Sequence, residues 1–567
     1  MAVLSGQLAR LTLGGIDNPQ LSGDLDTFAW VAMPYESEAQ RWPGGAVLAT
    51  AWPVEANGRA IAGQKLRAHL DDWYNRIHIS PRQLDLGNVV STQTTAVRLW
   101  NAYLEPRTLT DIDGQQEGIE LSNQPAAPLL FTGLQEREWQ VSVTPDGQPV
   151  LDTTLAWQFD NGDEAGLRIT ANRIIAWAFV PDWAAGVLER LTWSTDILQS
   201  ESGVEQRRAL RLAPRRELEA TVYAEGRERQ LLDLSLFGWG ARVWALPIWP
   251  DIQLLASGAP AGADFIACQT AGLDFRNGGL ALLRGETAWS AETVEILDVL
   301  PTGLQLKRAT QQAWATGSRL YPARPAQLAE QPSLKRLTDR LQSLDVQFRI
   351  NEACDWPESL PATLYRGRPV LEARPDESEE LTSRYQRLLR TLDSGLAIPL
   401  TTDSAGRALP VQGYRWQELG RSERAKYRGL LYALRGRQVP VWVPTHAADL
   451  TLVATVTDVA TTLDVEYLGY TRFGQGRPGR CDIRIELYDG SVYHRRITGS
   501  SELSADIERL AIDSTLGRQI EPVDVSRISW MALCRLDSDT VEIDHLTDSE
   551  GVAKSALVFR GVRDDEF

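Results

Sequence analysis

Leu232–Ala256 reads LDLSLFGWGARVWALPIWPDIQLLA, and Leu430–Ala454 reads LLYALRGRQVPVWVPTHAADLTLVA. At a constant offset of 198 residues, eight of the 25 positions are identical, among them Gly238/Gly436, Trp244/Trp442 and Asp251/Asp449. Shared tryptophan, glycine and aspartate at one spacing exceed what average composition gives. Repetition found early changes the whole reading of a fold. Two long units are too few for a solenoid and point instead to one domain present twice, hence to pseudo-symmetry in an assembly. Upstream, Pro181-Asp182 and Pro375-Asp376 each precede a run ending in aspartate, at Asp196 and Asp393. Both runs have helical apolar spacing, so helices are expected there.

The 567-residue chain is long enough for several cores. No apolar run approaches the ~18 residues of a membrane span, and the start lacks the pattern of a secretory signal. Synthesis in a cytosol is the expectation. The four cysteines, Cys268, Cys354, Cys481 and Cys534, are isolated, which argues against zinc and against a disulfide framework. The five histidines are scattered without ligand spacing. A net charge of −17 disfavours an external nucleic-acid-binding surface, which needs clustered Lys and Arg. It is compatible with the wall of a lumen that DNA slides through, and equally with plain solubility. Nineteen tryptophans suit interfaces and sugar stacking as well as cores.

Period-2 alternation dominates, so the expected class is mainly β, with sandwich and barrel-like modules and a few helices. Residues 1–74 read as a β-rich arm. Residues 75–172 read as a β-sandwich, with Leu84, Leu86, Val97, Leu99, Trp157 and Phe159 inward and turns at Gly87-Asn88, Pro145-Asp146-Gly147 and Asp160-Asn161-Gly162. The first repeat unit is placed at 173–330, with a helix at 183–198. A helix–strand joint is placed at 331–350, because Leu334, Leu337, Leu341 and Leu344 fall on one helical face. The second repeat unit is placed at 351–567, with a helix at Ser422–Leu434 before its W…D segment and late strands around 481–487, 491–497, 530–535, 540–543 and 556–560.

Motifs of chemistry are missing: there is no P-loop, no GxGxxG after a strand, no HExxH and no GxSxG. The acids Asp537, Asp539, Glu542 and Asp544 alternate as on a solvated strand face and lack the glycine and terminal glutamate of an EF-hand. Asp196 and Glu205, or Asp251 and Asp449, could serve as carboxylate pairs. An aspartate present in both copies is better explained by turn capping. The reading is therefore no enzyme, no cofactor and no metal. Arg207, Arg208, Arg211, Arg215 and Arg216 are interleaved with Glu205, Glu217 and Glu219. They read as paired charges at a subunit interface, since guanidinium forks suit carboxylates.

Two resemblances add to this. ISPRQLDLGNV…AVRLWNA, within residues 79–102, resembles Ig-like modules that open with P-x-x-L-D-[FL]-G-x-V. The segments at 179–219, 433–454 (ALRGRQVPVWVPTHAADLTLVA) and 528–548 resemble tail-tip proteins of long-tailed bacteriophages. The second resemblance implies a virion structural protein of the distal tail or baseplate, made in the host cytoplasm, that forms a ring joining the tail tube to the hub and fibres. Implied partners are further copies, as a hexamer or trimer, and the tube, hub, tape-measure and fibre proteins, with no specific nucleic acid and no membrane insertion. The alternative is a carbohydrate- or receptor-binding tail protein acting in host adsorption.

Overall fold

The computed structural model describes residues 73–564 except Ser91, Asp146, Gly147, Pro149 and Pro478, together with the hairpin Val54–Ala56 with Arg59–Ile61. The rest of the expected N-terminal arm lies outside the described residues. The chain is mainly β, with short helices, and divides into two compact units, residues 1–174 and 175–567.

Within the first unit, nine strands form two facing sheets. They are β1 (Ile77–Ser80), β2 (Gln83–Val89), β3 (Gln93–Asn101), β4 (Arg107–Asp113), β5 (Ile119–Ser122), β6 (Leu129–Phe131), β7 (Glu136–Val143), β8 (Val150–Phe159) and β9 (Glu164–Ala176). One sheet has the order β1-β3-β7-β5 and the other β6-β4-β8-β9-β2, with β2 parallel to β9. Val97, Leu99, Trp157 and Phe159 are buried between the sheets, and Leu84 and Leu86 are half-buried against the same core. Trp139 meets Trp157 edge-on at 6.1 Å. This unit has its own core, so a 73–174 fragment is expected to stay soluble and to give a β-type circular-dichroism spectrum. A helical spectrum would rule the two-sheet assignment out.

The second unit holds the duplication. Its first repeat comprises β10 (Val187–Thr192), β11 (Thr195–Gln199), β12 (Glu205–Ala209), β13 (Arg215–Glu225), α1 (Gly226–Trp239), β14 (Val243–Pro247), β15 (Phe265–Ala267), β16 (Leu280–Arg284), β17 (Ala291–Leu300), β18 (Gly303–Leu306), β19 (Arg319–Leu328), β20 (Lys335–Arg336) and β21 (Leu341–Ile350). The second comprises β22 (Thr382–Gln386), β23 (Leu389–Leu392), β24 (Leu400–Asp403), β25 (Leu409–Leu419), α2 (Arg421–Leu434), β26 (Val441–Pro444), β27 (Thr462–Glu466), β28 (Asp482–Leu487), β29 (Val492–Glu502), β30 (Ile507–Ile512), β31 (Val525–Leu536), β32 (Thr540–His545) and β33 (Val552–Gly561).

Ten antiparallel ladders of the first repeat have counterparts in the second. β10–β13, β11–β12, β13–β21, β14–β19 and β15–β18 correspond to β22–β25, β23–β24, β25–β33, β26–β31 and β27–β30. β16–β17, β16–β19, β17–β18, β19–β21 and β20–β21 correspond to β28–β29, β28–β31, β29–β30, β31–β33 and β32–β33. None of these ladders closes into a barrel.

Turns repeat as well. The Asp182 N–H donates to the Thr221 carbonyl and the Asp376 N–H to that of Arg415. Each aspartate also accepts a backbone N–H two residues on. Each strand-to-helix turn passes through a glycine of positive φ, Gly226 (56°) and Gly420 (131°), a conformation a Cβ would resist.

Three expected helices are strands. At 183–198 the chain forms β10 and β11, with Val187, Glu189 and Leu191 all inward. The inward position of the acid Glu189 disguised the period of two. At 333–344 it forms β20 and the start of β21, where Gln342, Ser343, Leu344, Val346 and Phe348 are buried while Leu334 and Leu337 are exposed. The expected joint therefore completes the first repeat. The run ending at Asp393 is β23 of an exposed hairpin. By contrast α2 lies at 421–434, and the late strands fall at β28, β29, β31, β32 and β33.

The repeats share one sheet. β10 pairs with β13 on one side and with β32 of the second repeat on the other. The resulting order is β22-β25-β33-β32-β10-β13-β21-β20, eight strands long. One face is polar: Arg190 contacts Glu217, Glu219 and Glu542, Arg349 contacts Glu217, and Lys335 contacts Asp345. The other face of the second repeat is covered by α2, whose Tyr427, Leu431 and Leu434 pack with Leu191 and Trp193 of the first.

Candidate functional site at the repeat junction

Where the repeats meet, charges are buried in numbers that solvation alone does not permit. Glu189, on β10, is fully buried. One of its oxygens accepts from Arg428 Nη2 (3.0 Å) and contacts His545 Nε2 (2.7 Å). Its other oxygen lies 2.7 Å from Arg216 Nε, an ion pair without hydrogen-bond alignment. Arg216 Nη1 donates to Asp274 (2.5 Å), which Arg324 also engages through Nε (3.2 Å) and Nη2. Arg324 Nη1 reaches Glu352 (2.6 Å). From α2, Arg424 donates to Asp251 and to the Pro250 carbonyl (2.9 Å), and Arg428 Nη1 lies 3.4 Å from Asp251. The two arginines stand four residues apart and so face the same way from the helix.

Burial works to raise the Glu189 carboxyl, but Arg216, Arg428 and His545 outweigh it and hold it well below the usual range. Burial likewise opposes ionisation of Asp274, and Arg216 and Arg324 reverse the effect. His545 is pushed down by burial, with Glu189 opposing. The network is a structural lock: Arg216, Arg324, Arg424 and Arg428 hold the carboxylates of Glu189, Asp251 and Asp274 between the repeats.

A second set of contacts clamps the hairpin β11–β12 onto the second repeat. Arg535 grips Glu205 through Nε (2.7 Å) and Nη2 (2.8 Å). Arg207 Nε donates to the Gln438 carbonyl (3.2 Å), and Arg207 also pairs with Asp564. Asp539 accepts from the Thr195 N–H (2.8 Å), the Thr195 hydroxyl (2.8 Å) and the Arg437 N–H (2.9 Å). Glu542, on the polar face, pairs with Arg190 at 2.9 Å. Beside the lock, an open cleft of about 1040 Å³ runs between α2 and the 269–276 loop.

The arginine stretch divides. Arg216 belongs to the lock and Arg207 to the clamp. Arg211 donates to the Thr192 carbonyl (3.1 Å), while Arg208 and Arg215 are exposed. The signature residues also divide. Trp244 and Trp442 are buried on the equivalent strands β14 and β26. Trp244 meets Trp177 edge-on at 5.3 Å, and Trp442 Nε1 donates to the Tyr365 carbonyl at 2.9 Å. Asp251 and Asp449 each accept a backbone N–H, from Asp274 (3.1 Å) and Trp530 (2.9 Å). This is the capping role, to which Asp251 adds the lock.

The glycines are not equivalent. Gly238 lies inside α1, whereas Gly436 follows α2 with φ 63°. α1 and α2 are each 14 residues long and start 195 apart. The offset of 198 applies only from β14 and β26 onward, because three more residues follow α2. Sequence reasoning missed Glu189, Asp274, Arg324, Arg424, Arg428 and His545. The one available signal was Arg424 and Arg428 on the same flank of a predicted helix as Tyr427 and Leu431.

No protein-family model and no curated protein matches the chain. Among the described residues no group of three or more His, Cys, Asp or Glu could hold a metal ion, and no helix is long and apolar enough to cross a membrane.

Proposed function

We propose that the chain is a structural component of a phage tail-tip ring, built from two tandem β repeats per copy and carrying the residue 75–172 sandwich as an appended module. One observation carries the reading. The two repeats meet through a heterologous contact, in which different surfaces of the same domain face each other. Such contacts propagate into closed rings or open filaments. Three chains supply six repeats, which suits a sixfold tail tube. The segment resemblances at 179–219, 433–454 and 528–548 support the same reading. The buried ion-pair lock between the repeats supports a load-carrying joint.

The test is localisation. Antibody raised against the 73–174 module is expected to decorate purified particles at the distal end of the tail, in negative-stain images. Particles that lack the chain, or label on the head or along the tail shaft, overturn the proposal.

A further inference from the structure

The junction between β10 and β32 uses one edge of each repeat, so each repeat keeps its other edge. Among the described residues β20 has only β21 as a neighbour, and β22 has only β25. β20 is the counterpart of β32, and β22 is the counterpart of β10. The two bare edges are thus the two halves of the contact already made inside the chain. We infer that β20 of one copy pairs with β22 of a second copy of this chain, in the register of the internal junction. This rests on the ring reading above and specifies its interface.

The register follows from shared partners. Leu188 faces Glu219, two residues before the Thr221 carbonyl that receives Asp182. Thr382 faces Gly413, two residues before the equivalent Arg415 carbonyl. Glu189 therefore corresponds to Ser383, and Leu191 to Tyr385. Asp544 faces Lys554, three residues before Leu557, the partner of Tyr414. Lys335 faces Ser343, three residues before Val346, the partner of Ala220. Ile543 thus corresponds to Leu334. The internal pair Glu189–Ile543 becomes Ser383 opposite Leu334 of the neighbouring copy.

Side-chain exposure agrees. Tyr432 of α2 is 6% exposed and packs edge-on against Trp193 of the first repeat at 5.7 Å. Its counterpart in α1, Phe237, is 94% exposed. Leu191 is fully buried at the junction, and its counterpart Tyr385 is 62% exposed. On the hairpin β23–β24, Leu389 is 55% exposed, and its counterpart Thr195 is buried at the junction. At these three positions a side chain stands outward where the internal contact buries its counterpart. Exposed apolar clusters of this kind mark protein contacts, and a bare strand edge is a template for pairing. Three eight-stranded sheets joined this way give 24 strands. At about 4.8 Å per strand and a tilt of roughly 40°, that closes a ring about 48 Å across at the backbone.

The test uses the purified full chain. Ser383→Cys with Leu334→Cys places two thiols on directly opposed positions, within reach of a disulfide after small adjustment. Under mild oxidation the double variant is expected to give species of two and three linked chains on a non-reducing gel and none larger, with each single variant staying at one chain. Phe237→Arg changes a solvent-exposed side chain and is expected to leave the melting temperature unchanged. It should raise the concentration for half-assembly about tenfold or more, the effect of losing a central aromatic anchor. If the unmodified chain assembles but the double variant does not cross-link between chains, this interface is wrong while the ring reading stands. A disulfide confined to one chain has the same meaning, as does a dimer linked by Leu334→Cys alone. If the unmodified chain stays monomeric at tens of micromolar and the double variant forms no cross-link, the inference falls on its own, since tail localisation is read separately.

Discussion

Glu189→Ala is expected to lower the unfolding free energy by about 3–5 kcal/mol, the cost of leaving buried partner charges unmatched. The orphaned groups would be Arg216 and Arg428, both buried at the junction with Glu189 between them. Urea denaturation followed by tryptophan fluorescence measures it, since Trp193 lies in the same packed region. The paired replacement Glu189→Met with Arg428→Met removes both charges and keeps the volume. It is expected to lose less than the sum of the two single losses, by about 0.5–3 kcal/mol. Strict additivity would mean that the two groups do not interact and would remove the lock. The same reasoning changes what the arginine stretch can be asked to show. Alanine at Arg216 strikes the folded chain itself, so only Arg208 and Arg215 are suitable probes of an outer surface.

Acid is expected to weaken the fold before the carboxylates of the lock take up protons, and His446 is the cause. It is buried, with φ 54°, and its ring meets Tyr414 edge-on at 6.2 Å. Burial pushes its pKa down to about 4, with Arg484, Arg527 and Arg374 adding to the effect and Glu372 opposing it. In the unfolded chain the ring titrates near ~6.5. Between these values the unfolded state binds a proton that the folded state refuses, so stability is complete above ~6.5 and falls as pH drops toward 4. A gap of that width corresponds to about 3 kcal/mol. His545 is shifted the same way by burial and adds to the loss of stability as pH falls below the unfolded value. Glu189 acts lower: its depressed pKa makes a contribution present above the unfolded value and lost as pH falls through the folded one. His446→Asn tolerates the positive φ and removes the titration. Melting temperatures of this variant between pH 4 and 6.5 are expected to vary less than those of the parent chain. An unchanged slope would assign the acid sensitivity elsewhere.

What the sequence disclosed follows from how local each signal was. The repeated Trp and Asp sit on a strand and the turn after it, where the chain keeps its spacing, and they exposed the duplication. The sandwich announced itself through alternation at Val97, Leu99, Trp157 and Phe159, which needs only neighbours along one strand. The false helices share one cause. Period-2 strands with a polar residue inward, such as Glu189, or with leucines on a bare edge, such as Leu334 and Leu337, imitate a period near 3.6. α1 went unseen because only Leu232 and Leu236 of its 14 residues are buried. The lock was illegible for a different reason. It joins residues from β10, β13, the turn after β14, the 269–276 loop, β19, α2 and β32, and no window along the chain contains more than two of them.

The pairing of β10 with β32 also has a consequence in time. Glu189 and His545 touch across 356 positions of sequence. At a synthesis rate of roughly 5–20 residues per second, about 20–70 s pass on the ribosome between the two. Through that interval β10 has only β13 beside it, and Glu189 waits for two of its partners. Non-local pairings of this kind are slow to form and leave strand edges open to other nascent chains. The strand that seals the first repeat, β32, emerges after every strand of that repeat. A chain cut short before β32 would therefore leave the β10 edge open, and on the ring proposed above, β32 decides whether such a chain joins its neighbours or blocks them.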